Sequence, residues 1–588
     1  MNRGGAHSSD GDALGVLTPT AAKSPAAGEA APAPVQPRVL RLTVEHACWV
    51  AVALIAAALR LLSLDATPLG AIEGSHALGT WLATQGRPPA GWGGSLTEAL
   101  TALVFKAFGA GDAGARVVPA LAGMALVLSL WALRPHIGRM AALAAALLAV
   151  LSPTLVAEAR AASGESLGMA LAIIFAALLL DSLEKPEPKR FVALMILLTW
   201  GLGTDGTFVA GAGLALLWAA LRLTWLRDAD TPALRPALAQ ARDRLVRAAP
   251  IAAAGLLLAC SRWGLGLARL RPAALAQWNA MFQPSRPNAP WHYAIDVAIG
   301  YELPLLILGV AGAIWAARAQ RWRHHPVSGL LLIWTLGGTA LALFGTARQP
   351  STLLLLTVAL CLLGGIAVDR GVRALLGQRP RAVDLLIAAA IVLALVYTGL
   401  RAGAVGVPSY SVGAPSRLLV VLGPVLLFCF LVALYLRWEY LGNGALMPSA
   451  VVLGIAAIVW NLHGASAVAF LRGDEFMTGV RTTREGVALA RLLEAQGGGI
   501  GDVDSALQPD LGWYLRDTLA SGGHGGAKLI PAAGGVPAGY RAASQPALVA
   551  RAWSPHTLSG AGMVRWWLYR QAWGSADDKT ARLVVEGR

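Results

Sequence analysis

A carboxylate and an imidazole stand three residues apart in the stretch Leu64-Asp65-Ala66-Thr67-Pro68-Leu69-Gly70-Ala71-Ile72-Glu73-Gly74-Ser75-His76. On a helical turn Glu73 and His76 share one face. Such a pair can bind a metal ion or move a proton. The stretch follows the first long apolar run at once, so the pair sits at the mouth of a bilayer. Composition alone also allows a plainer reading, a solvated loop between two helices, because acids outside a bilayer are ordinary. The surrounding segments bear on that choice.

Hydrophobic residues make up 56% of the chain and charged residues 14%. A soluble chain of 588 residues does not have that balance. Apolar runs of about 20 residues, the length that crosses hydrocarbon, recur along it. The sequence predicts an α-helical polytopic membrane protein. The net charge of +15 is no nucleic-acid signature, because the arginines gather in short loops between apolar runs, the positive-inside pattern. Cys48, Cys260, Cys361 and Cys429 lie in apolar segments at unrelated spacings. They read as buried small residues, not as a disulfide framework or a zinc motif.

Residues 1–42, rich in Ala, Pro, Gly and Ser, read as a disordered cytoplasmic tail. Spans are expected near 47–64, 115–133, 140–156, 167–183, 191–203, 207–223, 248–266, 300–317, 327–346, 352–368, 382–400, 418–436 and 448–470, about 13 in all. Ser75–Gln85 and Ser95–Phe108 are too polar or too short to span and are expected along the surface. Residues 224–247 and 267–298 read as longer loops. With the N-terminus inside, the basic clusters around Arg134, Lys185, Arg235, Arg321 and Arg373 all fall inside, whereas Arg160 and Arg348 stand alone in outer loops. Glu73 and residues 471–588 are then outside.

That last region reads as a small extracytoplasmic α/β domain. Helices are expected at 485–496 and 509–519, and strands at 501–505, 527–531, 548–552 and 581–585. The glycine-rich pieces 497–499 and 522–526 match no phosphate-binding fingerprint and read as loops. The aromatic segment Trp566-Trp567-Leu568-Tyr569-Arg570, followed by Trp573-Gly574, allows two readings: a cap resting on the bilayer or the outer loops, or the core of the small domain.

The order of motifs resembles the GT-C glycosyltransferases that use polyprenyl-phosphate sugars, such as protein O-mannosyltransferases and lipid A aminoarabinose transferases. The family's first outer loop carries Asp-Glu, and Ile72-Glu73 stands there. A Phe-Gly before Asp-x-x-x-Arg follows as Phe108-Gly109, Asp112 and Arg116. A Leu-Ser-Pro leads to an arginine and an acid, here Leu151-Ser152-Pro153, Arg160 and Glu165. More narrowly the chain is similar to the flippase-associated, Agl-type branch of bacteria and archaea. That branch has a histidine where His76 stands, a Trp-Tyr-Leu-Arg-Asp where Trp513–Asp517 stands, and the aromatic segment near the end. The resemblance divides the chain into the tail, a GT-C-like transmembrane domain at 43–470 with outer loop 65–114, and the domain at 471–588.

The resemblance implies transfer of a sugar from a polyprenyl-phosphate donor to an acceptor on the outer face of a bacterial or archaeal cell (inner) membrane. It implies no particular sugar or acceptor. Such transfer needs a base for the acceptor and cations for the phosphate. Glu73 is the implied essential acid, supported by His76. Arg116, Arg160 and Arg348 are the implied phosphate ligands, since guanidinium binds phosphate bidentately. Glu73 and Glu165 would hold a divalent ion, Mg or Mn, through oxygen ligands. Plainer readings stand beside these: Arg116 and Arg160 as ion-pair partners of Asp112 and Glu158 or as snorkelling residues, Pro350 as a helix start, and Asp205 as a turn residue. The alternative to an enzyme is a catalytically inactive GT-C-like protein that binds lipid-linked glycan or serves a membrane or envelope complex. A membrane-lipid partner is common to both readings.

Overall fold

The structure is a computed structural model that describes residues 43–89, 92–226, 231–263, 273–282, 291–318, 326–376, 380–404, 414–441, 446–470, 475–478, 480–495, 502–517, 527–552, 560–570 and 577–586. The expected tail at 1–42, the glycine-rich pieces at 497–499 and 522–526 and Trp573-Gly574 lie outside the described residues.

The chain is an α-helical membrane protein with a small C-terminal sheet. Among the described residues eight helices are long and apolar enough to cross a membrane, or ten segments if each of two bent pairs is one span. All thirteen expected spans fall on helices. The three outside that count lie on Pro188–Gly201, Thr231–Cys260 and Ala414–Leu441. Pro188–Gly201 has only 14 residues, short of the about 20 that cross hydrocarbon. Residues 231–247, expected as loop, are instead helical. Their polarity pointed to a loop, but they are mostly Ala, Leu and Arg, the strongest helix formers.

Small residues set the packing. Ala141, Ala142, Ala145, Ala146 and Ala149 are all fully buried, which lets helix backbones approach closely, as membrane helices do. The segment after the first span is helical, as expected. Helix α1 (Val44–Leu61) is followed by α2 (Ala71–Thr84), α3 (Leu96–Phe108) and α4 (Asp112–Ser129). Ser95 and Glu98 close a reciprocal cap on α3: Glu98 N–H donates to Ser95 Oγ at 3.2 Å and Ser95 N–H to Glu98 Oε2 at 2.8 Å.

Strands β1 (Arg481–Thr482), β2 (Asp502–Val503), β3 (Ala527–Pro531), β4 (Tyr540–Ala542), β5 (Ala547–Ala552) and β6 (Asp577–Glu586) form one sheet in the order β1-β5-β6-β3-β2. Strand β4 also pairs β6, and only β2–β3 is parallel. The four expected strands are present. The short β1 and β4 were not legible, because two or three residues carry no periodicity.

Cys48–Arg588 is one compact unit, and two aromatic clasps fasten the sheet region to the helices. Asp112, the first residue of α4, accepts Trp513 Nε1–H at 2.7 Å and Tyr514 O–H at 2.8 Å. Trp513 also stacks on Phe105 of α3, with centroids 5.6 Å apart. The second clasp is the helix Gly560–Tyr569. Trp566 packs among Tyr301, Phe476 and Tyr293, and Trp567 Nε1–H donates to Ile299 O at 3.1 Å. The aromatic segment thus belongs to the seam with the membrane helices, not to the core of the sheet. Truncating a buried Trp costs about 3–5 kcal/mol. Trp566→Ala is expected to lower the thermal midpoint of the full-length protein in detergent; an unchanged midpoint would remove Trp566 from the core.

Candidate active site

Glu73 is the third residue of α2, where an acid meets unpaired backbone amides. Its Oε2 accepts Gly70 N–H at 3.1 Å. The same carboxylate takes a two-pronged contact from Arg116 of α4: Nε–H to Oε1 at 2.9 Å and Nη2–H to Oε2 at 2.7 Å. Ala162 N–H adds a fourth contact at 3.3 Å. Arg116 gives its other hydrogens to the carbonyls of Leu64 (2.8 Å), Thr67 (2.6 Å) and Pro68 (3.2 Å). Burial pushes the Glu73 pKa up, but the Arg116 charge, its hydrogen bonds and the Gly70 amide outweigh burial and hold it below the usual carboxylate range. Glu73 is therefore ionised and a poor base.

One turn along, His76 Nδ1 lies 3.1 Å from Glu98 Oε1, and the imidazole is about a third exposed. Burial lowers its pKa, yet the Glu98 hydrogen bond and the charges of Glu98, Glu158 and Glu73 raise it above the ordinary histidine value. Glu158 and Arg160 come from Pro153–Arg160, the second half of a helix bent by 61° after Arg139–Leu151. Glu158 Oε1 accepts Ser163 Oγ–H. Its other oxygen takes no hydrogen bond from a described residue. Arg160 closes the end of α1: Nη1–H donates to Leu59, Arg60 and Leu62 carbonyls at 3.1, 3.3 and 2.8 Å, and Nη2–H to Ser63 O at 2.9 Å.

These groups line one cavity of about 90 Å³. Glu73, His76, Arg116 and Arg160, all expected from sequence, meet there, with Ile72 beside them. Gln349 and Pro350 also line it, whereas Arg348 does not; its backbone has φ +50, unusual for a residue with a side chain. Glu165 and Asp205 lie outside the lining. Asp205 caps the helix Gly206–Leu221 through Thr207 and Phe208 amides at 3.1 and 3.2 Å. Its second oxygen accepts Gly168 N–H at 2.8 Å. A Cβ at Gly168 would sit 1.9 Å from Asp205 Oδ1, so this approach needs glycine.

Two lining residues were missed by sequence reasoning. Glu158 was weighed only as a partner for Arg160, which instead binds carbonyls. Arg481 of β1 reaches the cavity from the far end of the chain, and no local pattern marks it. Asp112 and Arg116, one motif in the sequence, have opposite tasks: Asp112 grips the sheet region and Arg116 the first outer loop.

A family model described as dolichyl-phosphate-mannose-protein mannosyltransferase matches residues 95–231. ArnT from Cupriavidus metallidurans in the apo state superposes with a TM-score of 0.50 at 17% identity, over 81% of this chain and 85% of that one. The chain has the GT-C fold. The same ArnT bound to undecaprenyl phosphate gives 0.47 at 17% identity, over 81% and 87% of the two chains. The Archaeoglobus fulgidus oligosaccharyltransferase in complex with Zn and sulfate gives 0.45 at 14%, over 77% and 56%. No curated protein matches in sequence.

Within this GT-C fold the residues expected to hold a divalent ion do not converge. Both Glu73 oxygens are engaged by N–H donors. Glu165 does not line the cavity, and its Oε2 is buried without a hydrogen bond from a described residue. Among the described residues no group of three or more His, Cys, Asp or Glu is placed to hold a metal.

A second groove of about 1050 Å³ lies on the other side of the first outer loop, lined by Asp65, Ala66, Pro68, Arg484, Arg491 and Arg516 among others. Thr67 faces the first cavity and its neighbours the second, so residues 65–68 form the wall between them.

The raised pKa of His76 has a measurable consequence. The His76–Glu98 pair stabilises fully below the ordinary histidine pKa, and that contribution is lost as pH rises through the raised value. The difference in thermal midpoint between wild type and His76→Gln is expected to be largest at pH 5–6 and to shrink as pH rises above about 7. A pH-independent difference would mean that the imidazole is not charged in the fold.

Proposed function

We propose that the protein transfers a sugar from a polyprenyl-phosphate carrier to a hydroxyl acceptor at the outer membrane face. The observation that supports this is the meeting of Glu73, His76, Glu158, Arg160 and Arg481 on one cavity of a GT-C fold. The roles divide by geometry. Glu158, with one oxygen free of described donors, is the base that takes the acceptor proton. The acceptor oxygen bonds to the anomeric carbon as the bond from that carbon to the phosphate oxygen breaks, and polyprenyl phosphate leaves. The His76 imidazolium, Arg160 and Arg481 offset the charge on the leaving phosphate. Glu73 and Arg116 hold the cavity wall, and Arg348 orients Gln349 and Pro350 at its rim. The groove behind residues 65–68 is the acceptor's approach.

One observation favours the second reading, a lipid-glycan-binding protein without turnover. Ile72 sets an apolar side chain on the cavity where the family resemblance places an acid, and the adjacent Glu73 is fully engaged.

The test uses full-length protein in nanodiscs with radiolabelled polyprenyl-phosphate sugars. Loss of a general base costs about 10²–10⁴-fold in rate. Glu158→Gln is expected to fall by that range with expression intact, and Glu73→Gln to lose thermal stability as well as rate. Undiminished transfer by Glu158→Gln would remove it as the base. A wild type that binds the carrier yet turns over none of the donors favours the second reading.

The same proposal sets topology: Glu73 and the sheet region lie outside a cell membrane, because the basic loops lie inside. A cysteine introduced at the exposed Gln545 is expected to react with an impermeant maleimide in intact cells. Labelling only after lysis would reverse the orientation of the sheet region.

A further inference from the structure

Two helix breaks meet inside the helical core. One separates Arg139–Leu151 from Pro153–Arg160 at 61°, the other Tyr293–Tyr301 from Leu303–Ala317 at 101°. A break strands the carbonyls of one half and the amides of the other. In a membrane core no water is at hand to take them. Charged side chains from other elements fill both roles at the first break. Glu302, from the second break and 4% exposed, accepts Ser152 Oγ–H at 2.6 Å and Thr154 N–H at 2.9 Å through Oε1. Ser152 Oγ in turn accepts Leu155 N–H at 3.3 Å. On the other side Arg60 of α1, 0% exposed, donates Nη2–H to Ala149 O at 3.2 Å and Nη1–H to Val150 O at 3.5 Å.

The groups match the helix ends: acceptor oxygens at the amides, N–H donors at the carbonyls. Buried ionisable groups are costly and persist where they are paired or carry function. Neither Glu302 nor Arg60 lines the cavity, so neither touches substrate in the proposed reaction. The half-helix they hold delivers Glu158 and Arg160 to it. Its flank is fixed by α4, where a Cβ at Gly123 would lie 2.2 Å from Ala159 Cβ.

We infer that Glu302 is a positioning residue: through Ser152 and Thr154 it fixes the start of the Pro153–Arg160 half-helix and so the placement of Glu158 and Arg160, with Arg60 holding the opposite side of the break. The kinetic part of this inference rests on the proposed transfer reaction; the structural part does not.

The test compares Glu302→Gln, Glu302→Ala and Ser152→Ala in the full-length protein in nanodiscs, by hydrogen–deuterium exchange of peptides covering 152–160 and by transfer kinetics. Glutamine keeps an acceptor oxygen, so its exchange and kcat are expected within about threefold of wild type, by the hydrogen-bond role alone. Alanine is expected to speed exchange in 152–160 and to lower kcat about 10–100-fold with donor KM little changed, since small misplacements of reacting groups cost about that much. Ser152→Ala, which removes one of the two contacts to Glu302, is expected between them. Unchanged exchange in 152–160 for both Glu302→Ala and Ser152→Ala overturns the inference. Equal damage by Gln and Ala overturns it too, because charge and not the acceptor would then hold the break. If Glu302→Ala does not fold, Ser152→Ala and Glu302→Gln still decide by exchange. A wild type without transfer activity counts against the reaction alone and leaves the exchange result to judge Glu302.

Discussion

The Glu73–Arg116 fork is the contact on which the cavity of this protein depends. A single guanidinium gathers three carbonyls of the loop after α1 and both oxygens of the first-turn acid of α2. That acid in turn receives the amides of Gly70 and Ala162. Three chain segments far apart in sequence, at 64–73, 116 and 162, are thereby held to one largely buried ion pair. Paired charges of this geometry are strong because each N–H points at a carboxylate lone pair in a site largely removed from water. Removing either partner would leave the other charge buried alone, which costs far more than the pair itself contributes.

The fork also changes how the cavity's chemistry reads. An acid next to a membrane, three residues before a histidine, looks like a catalytic base. Once both its oxygens carry N–H donors, its proton affinity falls and its role becomes architectural. Under the proposed transfer the base is then a carboxylate with an oxygen open to the cavity, the role given to Glu158 on the cavity wall. Arg160 shows the same substitution of roles. It has the chemistry of a phosphate ligand, but most of its hydrogens close the C-terminal carbonyls of α1. Its charge still faces the cavity.

Both cavity walls depend on broken helices and on the sheet region. A continuous helix through Ser152 would carry Glu158 and Arg160 along the axis of Arg139–Leu151 rather than away from it at 61°. The sheet region contributes Arg481 and is fixed to the same α4 helix that carries Arg116, through Trp513 and Tyr514 on Asp112. One turn of α4 therefore ties the C-terminal region, the first outer loop and α2 together.

Composition, run length and motif order report the class of the fold and the neighbourhood of the site. Apolar runs report helices because lipid forces backbone groups to pair locally, and each of the thirteen expected segments overlaps a helix. Motif order placed Glu73, His76, Arg116 and Arg160 at one site, and they do meet there. The contacts each residue makes are set by the fold across distant segments. Whether a carboxylate is a base or a fastener depends on which donors reach it, and those of Glu73 come from positions 70, 116 and 162. Glu165 shows the converse: an acid in the expected motif that does not line the cavity, its backbone carbonyl accepting Thr207 Oγ1–H beside the cap at Asp205. Arg481 and Glu302 carry no local signature at all, since burial and partnership across the fold are properties of contacts that periodicity does not encode.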